Sequence, residues 1–164
     1  AGGDCNISAC TPGFYDVDTD YGTGCECQDD GANSSCGVAT DLGILSPGDS
    51  ITASGRLPVN SLSDWVRVSF PIALGRPGSG TPTINFSAQP DSSYRFDVHY
   101  DCALGAAACG SGGVASGRTS WTFADAGSAA FSSNATPWPG DVYVRVYRTS
   151  GGGQCTNWEL TISR

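Results

Sequence analysis

Between Gly140 and Thr149 the chain reads GDVYVRVYRT, with valine at every second position. Successive side chains of a β-strand point to opposite faces. Val142, Val144 and Val146 therefore share one face, and Tyr143, Arg145 and Tyr147 share the other. The same alternation recurs along the chain. DWVRVSF sets Val66, Val68 and Phe70 against Trp65, Arg67 and Ser69. TINFSA turns Ile84 and Phe86 inward and Asn85 and Ser87 outward. YRFDVHYDC opposes Phe96, Val98 and Tyr100 to Arg95, Asp97, His99 and Asp101, and NWELTIS buries Trp158, Leu160 and Ile162. Weaker strands are predicted at Ser50–Leu57, Ser120–Ala124 and Ser128–Phe131. No 3.6-residue apolar period lasts three turns, and 23 Gly and 9 Pro in 164 residues disfavour helices. Short alternating runs parted by Gly, Pro, Ser and Asp predict one all-β antiparallel sandwich of seven or eight strands over residues 38–164. Burial of its apolar faces, at ~25 cal/mol per Å², is the main folding drive.

Residues 1–37 lack that pattern and carry five of the eight cysteines: Cys5, Cys10, Cys25, Cys27 and Cys36. An even cysteine count points to disulfides and an oxidising, extracellular or periplasmic setting. Cys102 and Cys109 flank a small-residue loop and are expected to pair with each other, at a gain of ~2–3 kcal/mol. Cys155 then needs an N-terminal partner, for which Cys36 is the choice. Such a bridge would pin the Cys-rich segment to the sandwich.

The formal net charge is −8, from fourteen Asp and two Glu against eight Arg and no Lys. That balance opposes nucleic acid or an anionic membrane as partner. No apolar run approaches the ~20 residues of a membrane span. The chain starts AGGDC, without Met or a basic-then-apolar segment, and is read either as a mature product after signal-peptide removal or as a piece cut from a longer chain.

Several segments resemble a known family. GDSITASGRLPVNSLSDWVRVSF resembles the opening of the bacterial pre-peptidase C-terminal domain, where an Asp-aromatic pair leads a valine-rich strand. RFDVHYDC is similar to its central strand, and WPGDVYVRVYRTSGGGQCTNWELTIS to its closing hairpin. The resemblance covers roughly residues 38–164. Residues 10–27 separately resemble a Cys-rich Asp segment of secreted myxobacterial proteins. The resemblance implies a jelly-roll-like, non-catalytic sandwich of the kind attached to secreted peptidases, some of which bind calcium or matrix polymers such as collagen. The 164 residues hold no peptidase signature, and the sandwich is expected to act alone, as a tail, or as an assembly unit.

The stretch DVDTDYGTGCEC, from Asp16 to Cys27, is the candidate metal site. An EF-hand loop wants oxygen ligands at positions 1, 3, 5, 7, 9 and 12, with glycine at 6. Asp16, Asp18 and Asp20 fall on the first three, but Tyr21 holds the glycine position, Gly22 comes one later, and Cys27 stands where the bidentate Glu belongs. A regular hand is excluded. The expectation is a short calcium loop of Asp16, Asp18, Asp20, Gly22 and Glu26, closed by disulfides, with backbone carbonyls and Glu26 or Asp29 completing the shell. A divalent ion relieves the mutual repulsion of three close carboxylates, whereas a solvated acidic turn needs none. Zinc is disfavoured, because the cysteine spacings lack paired C-x2–4-C units and no His is near.

Catalytic signals are poor. The one histidine, His99, lies between Asp97 and Asp101, no G-x-S-x-G elbow occurs, and the cysteines are read as paired. Asp97 and Asp101 as a glycosidase pair compete with two solvated neighbours on one strand face. The outward residues Tyr143, Arg145, Tyr147, Arg95 and His99 make a face of the types enriched at interfaces, although cross-strand Tyr/Arg packing explains it equally. Trp65 and Trp138 add aromatic surface. N-x-S/T sequons stand at Asn6, Asn33, Asn85 and Asn134. The expected function is a secreted, non-enzymatic calcium-binding structural protein that assembles at the cell surface or in matrix as a filament subunit, with itself or other extracellular proteins. A glycan- or matrix-polymer-binding module and an accessory domain of a secreted hydrolase are the alternatives.

Overall fold

A computed structural model describes residues 9–31, 33–71, 81–103, 105–106, 115–123, 140–150 and 155–164. Among these described residues ten strands follow in order: β1 Phe14–Tyr15, β2 Cys27–Gln28, β3 Thr40–Ile44, β4 Ser50–Gly55, β5 Ser63–Ser69, β6 Thr83–Ala88, β7 Tyr94–His99, β8 Ser120–Thr122, β9 Asp141–Arg148 and β10 Trp158–Ser163. Strands β1 and β2 form a small hairpin. The other eight make two four-stranded sheets, ordered β4-β10-β6-β8 and β3-β5-β9-β7.

The valine alternation packs as the period of two requires. Register sets Val66 beside Val144 and Val68 beside Val142. On the other side of β9, Phe96 meets Val146 and Val98 meets Val144. The facing sheet supplies Ile162 between Ile51 and Ile84, and Leu160 between Ala53 and Phe86. These side chains meet with Trp121 and Trp158 in one buried cluster. The expected strands at 50–57 and 120–124 are β4 and β8, and the expected strand at 128–131 lies outside the described residues.

Three local expectations need correction. Strand β3 runs parallel to β5, because the chain crosses to the facing sheet as β4 and returns in its original direction. Tyr100 is exposed, since β7 stops at His99 and the chain turns away before reaching it. Asp97 occupies an outward position yet is buried. Its Oδ1 accepts from Ser116 Oγ at 2.8 Å, Gly117 N at 2.8 Å and Tyr147 OH at 3.2 Å.

Arg148 continues the inner face of β9 with a charge. Its guanidinium donates to Asp91 Oδ2 at 2.9 Å, Ser93 Oγ at 3.1 Å, and the carbonyls of Leu57 at 3.2 Å and Pro58 at 3.3 Å. It also lies over the Tyr94 ring. A buried charge is tolerated only when paired and bonded this fully. Among the described residues no helix is long and apolar enough to cross a membrane.

Candidate functional site

Disulfides decide where the N-terminal segment lies. Cys10 pairs with Cys25, Cys27 with Cys155, and Cys36 with Cys102. The expected Cys102–Cys109 and Cys36–Cys155 bridges are therefore not formed, although Cys155 does take an N-terminal partner. Sequence proximity misled the first assignment, because Cys36 reaches Cys102 only through the fold. Cys5 and Cys109 lie outside the described residues.

The β1–β2 hairpin presents residues 16–26 as a loop closed by Cys10–Cys25. Each acid holds a backbone amide. Asp16 Oδ1 accepts from Thr19 N at 2.7 Å, where Thr19 has φ 61°. Asp18 Oδ1 accepts from Asp20 N at 2.9 Å and from Thr23 Oγ1 at 3.0 Å. Asp20 Oδ1 accepts from Gly22 N at 2.8 Å, and Glu26 reaches back to Val17 N at 2.8 Å. Asp-to-backbone bonds of this kind are what make Asp a turn former.

This folding brings Asp16, Asp18 and Glu26 together, each with one oxygen within 4.8 Å of the others. Asp20, the third expected carboxylate, is not in that group, and Gly22 serves it as a donor. Asp29 sits elsewhere, against the sandwich. Three carboxylates with no nitrogen or sulfur donor make a hard, all-oxygen set that fits Ca2+ and not Zn2+. A cation there would need backbone carbonyls and water for its remaining positions.

The expected interface residues do share a face. Tyr143 lies between Arg67 and His99, Arg145 between Trp65 and Asp97, and Tyr147 between Ser63 and Arg95. All five expected residues are half-buried. Arg145 stacks on Tyr147, and His99 meets Trp65 with centroids 5.1 Å apart. Arg67 reaches Asp141 at 3.3 Å, and Ser69 also bonds that carboxylate. The Ser69 bond, with Arg67 behind it, holds the Asp141 carboxyl below its ordinary value. Burial, then the neighbouring Asp97, pushes the Tyr147 phenol up.

The chain itself bridges this sheet. Asn33 O accepts from Trp65 N at 2.9 Å, and Thr40 already pairs with Val66. Residues 34–39 must therefore leave the sheet edge and return. Their 3-10 turn, Cys36–Val38, rests against β5, and Cys36 is bonded to Cys102 beyond the far-edge strand β7. This strap therefore links the β5 side of the sheet to the end of β7. The half-buried His99 ring packs against Trp65. Asp101 accepts from Ala103 N at 2.8 Å, apart from buried Asp97, so those two acids make no working pair. Asn85 is exposed and Asn33 half-buried, while Asn6, Asn134 and Trp138 lie outside the described residues.

A second acidic group went unnoticed in the sequence. Asp64 is 4 % exposed at the core end of β5, and its Oδ2 accepts from Trp158 Nε1 at 2.8 Å. Burial, opposed by the Trp158 bond and reinforced by Asp30 and Asp29, pushes its pKa up to about 7. Burial, then Asp30, likewise raises Asp29. The missed signal was the alternation itself, because counting back from Val66 puts Asp64 on the inner face.

The fold and loop together define a disulfide-stapled β-sandwich with an acidic loop. No family model matches the chain, and no curated protein matches it in sequence. Among solved structures it is similar to the pre-peptidase C-terminal domain of a collagenase from Bacillus anthracis. That match has 14 % identity over 77 % of this chain and 94 % of that one, with a TM-score of 0.39. It is also similar to a periplasmic inhibitor of g-type lysozyme from Aeromonas hydrophila, at 12 % identity over 76 % of this chain and 96 % of that one, with a TM-score of 0.32.

Proposed function

We propose that this chain is a secreted, non-catalytic, calcium-binding structural module that assembles outside the cell, at the surface or in matrix, as a filament subunit. The observation that carries the calcium reading is the convergence of Asp16, Asp18 and Glu26 in a loop closed by Cys10–Cys25. When bound, the ion would neutralise carboxylates that otherwise repel, and Asp16, Asp18 and Glu26 would hold it. The loop's own work is to hold each acid by a backbone amide that donates to one of its carboxylate oxygens. Secretion is supported by the three disulfides. Assembly is supported by the half-buried Tyr/Arg rows of β9, which offer large planar side chains next to the strap. That same row of Tyr143, Tyr147 and Trp65 favours a second reading, in which the face stacks on the sugars of a glycan or on a matrix polymer.

A thermal melt in calcium and in chelator tests the loop. A ligand present well above its Kd stabilises by about 1–3 kcal/mol, or a few degrees for a chain of this size. Chelator is expected to lower the Tm by that amount, and Asp18→Asn to abolish the difference. An identical melt in both conditions would sink the calcium reading.

A further inference from the structure

Among the described residues the two sheets end in four outer strands, β4 and β8 on one and β3 and β7 on the other, and three of these edges are closed or broken. On β7, Phe96 N donates to Arg118 O and Val98 N to Ala115 O, both at 2.8 Å, so residues 115–118 cover that edge. Strand β8 has only 3 residues. Strand β3 loses register between Asp41 and Ile44, holds Gly43 at φ 87°, and turns the Asp41 carboxylate onto Gly43 N. Strand β4 has none of these protections. Its 6 residues, SITASG, pair one to one with β10 without a bulge and include no charge and no proline. Natural sheets guard their edges with charge, proline or bulges, because a bare edge takes up a further strand.

The backbone of β4 has a defined open side. Asp49 O accepts from Arg164 N at 3.0 Å, so that carbonyl faces the β10 side. Peptide groups alternate in direction along a strand, which points the N–H and C=O of Ser50, Thr52 and Ser54 away from β10. Arg56 N, next in that series, does point outward, to Asp30 Oδ2 at 3.0 Å. The open series therefore stops short of Arg56. At its other end Gly48 turns the chain back, with φ 94° and its N–H on Arg164 O at 2.7 Å. Ser50, Thr52 and Ser54 are exposed, and cavities of about 290 and 210 Å³ both reach Ser54, so space lies beside that end of the edge.

We propose that β4 pairs with β4 of a second copy of this chain, antiparallel about a two-fold axis at Thr52, joining their sheets into one. The open window runs from Ser50 to Ser54 and is centred on Thr52, so it is complementary to itself. Thr52 lies opposite Thr52, and each Ser50 lies opposite Ser54 of the other copy, every pair exchanging two backbone bonds. On the inner side the half-buried Ile51 meets Ala53 of the other copy. Arg56, whose amide is taken, falls opposite Gly48, where the other chain has already turned away. Moving the axis to Ala53 or Ile51 sets an open amide against Arg56 or Gly48 and loses pairs. The charge of −8 on each chain opposes association, but the edge itself is neutral and salt screens the rest. A contact of the same patch on both copies closes at two, so the dimer stands independently of the calcium loop and of the β9 face.

Sedimentation equilibrium of the full chain in chelator, from about 10 µM to about 1 mM, tests it. The dimer fraction is expected to grow with concentration and with added salt. By NMR hydrogen exchange, the Thr52 and Ser54 amides are expected to slow about threefold or more between dilute and concentrated protein, while the Ala53 amide is protected in both. Thr52→Pro removes an N–H that β10 does not use, so the fold remains and the dimer is lost. Thr52→Lys sets like charges opposite each other at the axis and is expected to raise the dissociation constant about tenfold or more, with Ala53 still protected. A monomer at every concentration overturns the proposal. So does a dimer that survives both substitutions, or one that leaves Thr52 and Ser54 exchange unchanged, because another surface then holds it. Chelator keeps these outcomes separate from those of the calcium reading.

Discussion

Gly55 has no room for a side chain, and that single fact ties the N-terminal segment, β5 and β10 together. A Cβ would meet Asp64, Trp158 and Asp30 all inside 3.0 Å. Gly55→Ala is expected to lose about 1–3 kcal/mol, read from urea denaturation at fixed pH. Asp64 sets the pH dependence. Its pKa rises from 3.8 to about 7 on folding, so between those values the native chain holds a proton that the unfolded chain has released. Stability therefore falls as pH climbs through that window and levels off above it. The expected loss from pH 5 to pH 8 in chelator is on the order of 2 kcal/mol, and Asp64→Asn should flatten it. Asp91 and Asp141 act oppositely. Although burial opposes the shift, the Ser93 bonds and Arg148 hold Asp91 below its ordinary value, and the Ser69 bond does so for Asp141. Their contribution disappears as the pH drops below the usual carboxylate range, so maximal stability lies between the two limits.

Among the elements, the strap and the hairpin have different tasks. The Cys36–Cys102 bridge closes 66 residues and joins a segment beside β5 to the end of β7, across three neighbouring strands of one sheet. Replacing both cysteines by alanine is expected to cost about 2–4 kcal/mol by guanidinium denaturation. The Cys10–Cys25 bridge spans only 15 residues and closes the acidic loop. Its removal is expected to cost less in chelator and to erase the calcium dependence of the melt, because the carboxylates lose the frame that gathers them. Reading EF-hand spacing along the chain counts residues evenly, but the loop does not. The turn at Thr19 and the backbone bonds of Asp20 send that third carboxylate out of the group, and Glu26 enters from the opposite arm.

For the whole molecule, the functional question is what the outer face of β9 meets. Its Tyr/Arg rows remain half-buried, and the Arg67–Asp141 pair lies beside them. Electron microscopy of purified protein in calcium is expected to show filaments that shorten or vanish in chelator. Monodisperse particles under both conditions would remove the assembly reading and leave the glycan-binding one. Tyr143→Ala should reduce assembly while leaving stability within about 1 kcal/mol, since that side chain points away from the core.

The strands, their inward faces and the sandwich were legible because alternation is local. A two-residue period sorts Val66, Val144 and Leu160 from their neighbours with no knowledge of what they will touch. The acidic character of residues 16–26 was legible for the same reason. Asp64 was half-legible, since its inner position follows from counting but its partners do not. Pairings across the chain were not legible. Cys36 meets Cys102, Cys27 meets Cys155, and Asp30 and Asp64 both come close to Gly55 only after β3 to β10 have been ordered into sheets. Local chemistry specifies which face each side chain takes. Long-range contacts depend on how loops close and sheets stack, and there many pairings satisfy the same local rules until packing selects one.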